Sequence, residues 1–282
     1  ELKKSDKLSG KTVDGKSIRE AIGNVHFVQG NVDVYCNEAI QYIDDNKVEL
    51  RGNVKIYQDT LSLFTSKATY YGNEKKAICE GSVTLKDKNA TLRADNGVYF
   101  FNDAKAIFKG DVIIINPKYR ITSRELTYLR NTEDSFARGD VIVTTDSALI
   151  KAESIDFFKR QGKTFATDKV SIESDSSIIY SDTLTDYSFE DKSIASGNVK
   201  IVNLRNSLVV TGAYAENYDA KKYAFVKGNA KLTQIENERD TLFIFSNILE
   251  TYRIKPERYI AKENVEVIRG GFLAKSDTAI FA

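Results

Sequence analysis

Around Val83 the chain alternates with period two. Ala77, Cys79, Gly81, Val83 and Leu85 are small or apolar, while the residues between them are mostly polar. The same phase holds in Ala106, Phe108, Gly110, Val112 and Ile114, and again in Ala195, Gly197, Val199 and Ile201. A helix would bring apolar residues back every three or four positions, so each segment reads as a strand with one buried face. The other face carries Glu80 and Ser82, Lys109 and Asp111, Arg138 and Asp140, Lys227 and Asn229, and is predicted to be solvated.

These strands are copies of one another. The pattern G-N-V-x-Φ, with Φ a large apolar residue, is anchored at Gly23, Gly52, Gly81, Gly110, Gly139, Asp168, Gly197, Gly228 and Glu263. The first six steps are 29 residues each, and the last two are 31 and 35. Two positions after each anchor stand Val25, Val54, Val83, Val112, Val141, Val170, Val199, Ala230 and Val265. Four positions after stand Phe27, Ile56, Leu85, Ile114, Val143, Ile172, Ile201, Leu232 and Val267. A fixed period means one supersecondary unit stacked many times, so function is expected to belong to the stack and not to one locus.

A second strand follows each anchor, of the form Φ-x-[SAT]-[DE]-x-Φ-x-[YF], as in Leu92–Tyr99, Ile121–Tyr128 and Ile150–Phe157. Its apolar phase slips by one residue midway: Ile121 and Ser123 share a parity that Leu126 and Tyr128 do not. A slip inside a strand predicts a bulge or corner, and the anchor glycine would let the first strand bend at the same level. Each unit then consists of two bent strands crossing two facing sheets. Asp168 and Glu263 stand in the glycine place, which predicts a corner with no strict need for a positive φ. Turn residues separate the strands, as in Gly72-Asn73-Glu74-Lys75, Asn102-Asp103 and Asn116-Pro117. Ser5-Asp6-Lys7-Leu8 matches a second strand, and Leu273–Phe281 is another. Nine first and ten second strands predict a single continuous stack over residues 1–282, about 90 Å long at ~4.8 Å per strand, with open strand edges at both ends.

Composition supports this picture. Hydrophobic residues make up 41% and charged residues 29%, with two prolines and no tryptophan or methionine, a palette that suits strands. Forty-one basic against 40 acidic residues leave a net charge of +1, so there is no general drive toward nucleic acid. No apolar run approaches the ~20 residues of a membrane-spanning helix. The polar opening without methionine is expected of a trimmed or mature chain. Cys36 and Cys79 fall on inward columns with about three strands between them, too far apart to bridge at roughly 4.8 Å per strand, and read as buried thiols.

The paired signals G-N-V-x-Φ and [SA]-D-x-Φ-x-Y, repeated in register over essentially the whole chain, resemble the OstA-like (LptA) family of lipopolysaccharide export. The resemblance implies an all-β, elongated, repeat-built open β-jellyroll, V-shaped in section with two facing antiparallel sheets, here of about nine 29-residue units. It further implies an apolar interior that carries the acyl chains of lipid A, and joining end to end through strand edges. The implied location is the periplasm, between inner and outer membranes. The chain has about twice the units of a typical bridge protein of the family, so it fits a bridge, the soluble part of a translocon or a divergent relative equally.

The residues themselves leave two readings of the inward columns: a closed core or a lipid groove. As a groove, its lining is Val25, Phe27, Val54, Ile56, Val83, Leu85, Phe108, Val112, Ile114, Val141, Val143, Val170, Ile172, Val199, Ile201, Leu232, Val265 and Val267. Tyr70, Tyr99, Tyr128 and Phe157 form a column that either grips a ligand at the lip or stacks across strands. Asp95, Glu153, Asp182 and Asp277 recur too regularly for catalysis and are expected to hydrogen-bond backbone at the corner. His26, the one histidine, lies on an outward position without a partner for a metal or triad site. Lys3, Lys4, Lys7, Lys11, Lys16 and Arg19 either meet lipid phosphates or belong to a solvated, partly mobile terminus, the reading favoured here. Glu236–Asp240 and Lys255–Arg258 lengthen two hairpins. No catalytic residue, metal or cofactor is expected. The expected function is a non-enzymatic conduit that shields lipopolysaccharide acyl chains, with partners of the same fold or a second copy joined head to tail. A structural β-solenoid spacer that binds no lipid is the alternative. A β-helix enzyme acting on polysaccharide is a third, and lacks the carboxylate cluster it would need.

Overall fold

The computed structural model describes residues 1–205, 207–237 and 240–281, with the backbone alone at 236, 237 and 240. Among these residues the secondary structure is strand throughout, apart from one 3-10 turn at Lys159–Gln161. First-type strands each centre on an anchor: β3 (Lys16–Gln29), β5 (Lys47–Gln58), β7 (Lys76–Lys86), β9 (Lys105–Asn116), β11 (Asp134–Thr145), β13 (Lys163–Ser174), β15 (Lys192–Asn203), β17 (Tyr223–Asn237) and β19 (Arg258–Arg269). Second-type strands run between them: β4 (Val32–Tyr42), β6 (Leu61–Tyr71), β8 (Thr91–Phe100), β10 (Tyr119–Leu129), β12 (Ala148–Phe158), β14 (Ser177–Tyr187), β16 (Leu208–Tyr218), β18 (Asp240–Tyr252) and β20 (Phe272–Phe281). The opening second-type strand is split into β1 (Leu2–Lys4) and β2 (Lys7–Val13), both paired with β3. Of the two hairpins expected to be lengthened, Glu238 and Arg239 lie outside the described residues.

The chain forms two compact units, Glu1–Gly139 and Asp140–Ala282. Pairing follows chain order from β3 to β10 in the first and from β12 to β20 in the second, antiparallel at every step. Substantial contacts among the described residues join consecutive strands, β1 with β3 apart. Each unit is therefore an open antiparallel sheet and not a closed barrel, as the resemblance implied.

Every first-type strand bends at its anchor. In β5 the register runs Arg51↔Lys67 and then Val54↔Thr65, so Gly52 and Asn53 together face the single residue Ser66. This two-against-one bulge places two consecutive residues in the left-handed region: Gly52 at φ 71 and Asn53 at φ 49, Gly110 at 76 and Asp111 at 40, Gly197 at 76 and Asn198 at 48. Asparagine and aspartate are the non-glycine residues most at home there, which accounts for the second letter of G-N. The first letter has a steric reason as well: a Cβ at Gly110 would lie 2.2 Å from Asp95 Oδ2, and one at Gly197 would lie 2.2 Å from Asp182 Oδ2.

Two expectations are corrected at this corner. Asp168 and Glu263 do not relax it, because both sit at φ 64. The positive φ is required, and both adopt it at a cost, about 1–2 kcal/mol for the glutamate and less for the aspartate. Asp168→Gly is accordingly expected to raise the unfolding free energy by about 1 kcal/mol, read as an upward shift of the urea midpoint; an unchanged or lower midpoint would show that the corner is unstrained. The corner acids, in turn, are not confined to backbone partners. Asp6 and Asp182 accept hydrogen bonds from the side-chain amides of Asn24 and Asn198, both at 2.9 Å.

The bend divides each strand into two limbs, and the valines just past the anchor mark where they close. Val25, Val54, Val83, Val112, Val141, Val199 and Val265 are each 1% exposed. Neighbouring strands cover a side chain only at its flanks, so exposure this low needs the opposite limb above it. Each such burial is worth about 1.5–3 kcal/mol. Across the pair from Val25, Val54, Val83, Val112 and Val170 stand the small residues Cys36, Thr65, Ala94, Ser123 and Ser181, which leave room for the valine. Cys36 and Cys79 are free and buried, as expected, and burial pushes both thiols up to about 11.

Candidate functional site

Two residues beyond the valine column, on the same face, lies a row of larger side chains. In the first unit it runs Phe27, Val34, Ile56, Leu63, Leu85, Leu92, Ile114, Ile121, each opposite the next in register. In the second it runs Ile150, Ile172, Ile179, Ile201, Val210, Leu232, Ile244, Val267. The rows hold no polar atom beyond the backbone. Phe27, Ile56, Leu85, Ile114, Val143, Ile172, Ile201 and Val267 are half-buried, unlike the sealed valines. The opposite limb contributes a buried row of its own: Ala21, Leu50, Ala68, Cys79 and Phe108 in the first unit, Ala166, Leu184, Ala195, Ala215, Val226 and Ala261 in the second.

The predicted lining thus separates into two levels. Val25, Val54, Val83, Val112, Val141, Val170, Val199 and Val265 form the packed base. The residues four past each anchor form a wall with apolar surface still accessible, except Leu232, which is buried at 3%. Phe108 belongs to the other limb, facing Gly97 and Leu126. The other half of the wall comes from second-type strands: Leu63, Ile121, Ile150 and Ile179 are half-buried, whereas Val34, Leu92, Val210 and Ile244 are buried. Their signal was the apolar residue that opens the second motif. It could not be placed in the lane without knowing that the bulge shifts register so that this residue meets the fourth after the anchor.

The rim of the other limb differs between the units. In the first, Tyr70, Tyr99 and Tyr128 alternate with Val48, Ala77 and Ala106 across the sheet. The rings do not stack on one another; Phe101 in the following turn bridges Tyr70 and Tyr99 edge to face, at 5.6 and 4.7 Å. Burial pushes the Tyr128 phenol up from its ordinary value. In the second unit Phe157 is followed along the same row by Thr164, Asp186, Ser193 and Asn217. There Ser193 donates to Asp186 at 2.7 Å.

The outer face is charged and paired. Arg51 meets Glu38 at 3.6 Å, Lys67 meets Glu80 at 2.7 Å and Lys109 meets Glu125 at 2.9 Å. Burial would raise the Glu216 carboxyl, but hydrogen bonds from Tyr214, Tyr218 and Lys192 outweigh it and hold it below the usual range. Glu250 accepts hydrogen bonds from Tyr252 at 3.1 Å and Lys262 at 2.9 Å. His26 faces outward as expected, 2.7 Å from Asp33 and stacked on Tyr35. Lys3, Lys4, Lys7, Lys11, Lys16 and Arg19 are exposed, on strands and not on a loose terminus. Among the described residues no group of three or more potential metal ligands occurs, and no helix is long and apolar enough to cross a membrane.

Comparison with known proteins bears on this arrangement. Residues 1–153 match the family model described as OstA-like protein, and residues 120–252 match that described as LptA/(LptD N-terminal domain) LPS transport protein. No curated protein matches the chain. Among solved structures, LptH, the LptA homologous periplasmic component of the lipopolysaccharide transport device of Pseudomonas aeruginosa, is 14% identical over 35% of this chain and 75% of its own, at a TM-score of 0.32. That value is too low to bear on the fold.

Proposed function

Because the chain belongs to the OstA-like protein family, we propose that it is a non-enzymatic periplasmic conduit of lipopolysaccharide transport, holding lipid acyl chains against its apolar wall. One observation carries this reading: within each unit an unbroken apolar row runs across the strands beside a sealed base, half-exposed at most positions, with Val34 and Leu92 buried in the first unit and Val210, Leu232 and Ile244 in the second. A core closed for its own sake would bury both levels alike. Here the base supplies the stability and leaves the wall available.

The mechanism is shielding. Each methylene moved from water to the wall contributes about 0.8 kcal/mol, so a fourteen-carbon chain gains on the order of 10 kcal/mol before entropic losses. Capture therefore needs no specific contact. Consecutive wall residues are Ile, Leu, Val or Phe at ~4.8 Å intervals, so where they are half-exposed neighbouring positions offer similar wells and a chain can move along without a deep trap. Net release requires an outside push or a further acceptor. Partners follow from the same logic: proteins of the same fold, joined through strand edges so that the wall continues from one to the next.

Ile114 and Ile113 offer a test within one dipeptide. Ile114 lies in the wall, opposite Leu92 and Ile121; Ile113 points to the other face, opposite Arg93 and Thr122. A photo-crosslinking residue at 114, in a host making lipopolysaccharide, is expected to label lipid A several-fold more than the same residue at 113. Equal labelling would remove the wall as the binding surface, and no labelling at either would favour a spacer that binds no lipid.

A further inference from the structure

The outer face of the first unit carries a group of side chains that the repeat does not require. His26 Nε2 lies 2.7 Å from Asp33 Oδ1, and the imidazole is stacked on the Tyr35 ring at 4.2 Å and 8°. Tyr57 meets Tyr35 edge to face at 5.9 Å, and Phe64 meets Tyr57 in the same way at 6.0 Å. Asp33 thus orients His26, and His26 holds Tyr35. Even so packed, Tyr35 and Tyr57 remain 38% and 37% exposed. The packed positions recur at every 29-residue step, but these do not. Tyr35 is followed at successive steps by Phe64, Arg93 and Thr122, and Tyr57 by Lys86 and Ile115. Folding of the unit therefore does not account for the cluster.

The two phenols line an open hollow of about 770 Å³, within the roughly 300–1,000 Å³ usual for small-ligand sites. Its centre lies on β4 and β5, each paired on both sides. Across that pairing Tyr35 faces Lys55 and Asp33 faces Tyr57, while Asn37 and Asn53 border the hollow at the corner. Among the described residues no hydrogen bond or ion pair engages the two phenol hydroxyls, the side-chain amides of Asn37 and Asn53 or the Lys55 ammonium. On the other limb the outward charges are paired, as Lys67 is with Glu80 and Lys109 with Glu125.

This combination selects a ligand chemistry. A hexose ring carries C–H bonds on its faces and hydroxyls around its edge. It can lie on an aromatic ring while its edge pairs with amides that both donate and accept. A purely apolar ligand would leave the amides and Lys55 without partners. A nucleic acid or polyphosphate would meet the Asp33 carboxylate with only Lys4 and Lys55 to offset it. We propose that the hollow is a saccharide-binding site, a hexose unit resting on Tyr35 and Tyr57 with its hydroxyls held by Asn37, Asn53 and Lys55. Val34 and Ile56 alternate with Tyr35, Lys55 and Tyr57 along the same strands, so the apolar wall lies on the opposite face. The saccharide does not compete with an acyl chain, and the site stands whether or not the transport reading holds.

Tryptophan is absent from the chain, so Tyr57→Trp places a single reporter in the hollow. Two probes are titrated into the full chain: oligosaccharide freed of lipid from lipopolysaccharide, and chitotetraose. With at least one of them the Tyr57→Trp emission is expected to shift to the blue and saturate. An Arg93→Trp chain, altered on the same face outside the hollow, is expected to show no shift. Isothermal titration gives the affinity of the parent, which Tyr35→Ala and Tyr57→Ala should each weaken at least about fivefold. Urea midpoints check that the variants are folded, and the tryptophan reporter does not depend on the alanine variants. Binding of the first probe alone assigns the site to the saccharide of lipopolysaccharide, and binding of chitotetraose to a glycan of another kind; either supports the site. No shift with either probe, an equal shift from position 93, or alanine variants that bind as well as the parent would overturn it. Lipid labelling at position 114 reports on the wall alone, so failure of the transport reading is seen separately.

Discussion

Val112→Asp is expected to lower the unfolding free energy by about 3–5 kcal/mol, while Ile113→Asp, one residue along, changes it by less than about 1 kcal/mol. Val112 is 1% exposed and faces Ser123 at the sealed base, where no cation stands to pair with a carboxylate. The charge must be dehydrated or the limbs must part to let water in, and either outcome costs several kcal/mol. Ile113 sits half-buried on the other face beside Arg93 and Thr122, where a carboxylate keeps its water and gains a cation. Urea unfolding followed by far-ultraviolet circular dichroism measures both. Similar losses at the two positions would mean that the limbs do not close over the valine column.

Gly110→Val should be nearly as costly, by about 3 kcal/mol or more, for reasons that can be separated. One part is backbone: φ is 76, and a β-branched residue is poorly tolerated there. The other is contact, since the new Cβ would stand 2.2 Å from Asp95 Oδ2. Asp95→Ala removes the carboxylate and is expected to return about 1 kcal/mol in the Gly110→Val background, more than it contributes in the parent. A double variant whose loss is the simple sum of the single losses would show that Asp95 moves aside freely and that φ alone selects glycine. The same cycle at Gly197 and Asp182 should give the same sign, because the geometry there is the same.

The period-two pattern was enough to place strands, units and corners, because pleating is a local property. A residue's parity fixes its face, and the 29-residue step fixes where the next strand begins. Val83, Val112 and Val199 could be assigned to the buried face for that reason. The slip between Ser123 and Leu126 likewise located the bulge that the register confirms. At Asp168 and Glu263 the inference from residue type failed, since a side chain in the glycine place reveals nothing about φ when the neighbouring strands impose it.

Other features depend on what lies across from a strand, which its own spacing does not encode. Sequence alone determined an all-β repeat with an inward apolar face, the place of each corner and the two buried thiols. The tertiary structure decided that the limbs close over the valines and leave most of the next rank half-open while sealing Val34, Leu92, Val210, Leu232 and Ile244. It also decided that Leu92 and Ile121 join Ile114 in one wall, and that Phe101 bridges Tyr70 and Tyr99 where the column itself does not stack. The reason is the bulge. By setting two residues against one in every pairing, it displaces the register between strands, so that faces are legible along the chain while neighbours are legible only across it.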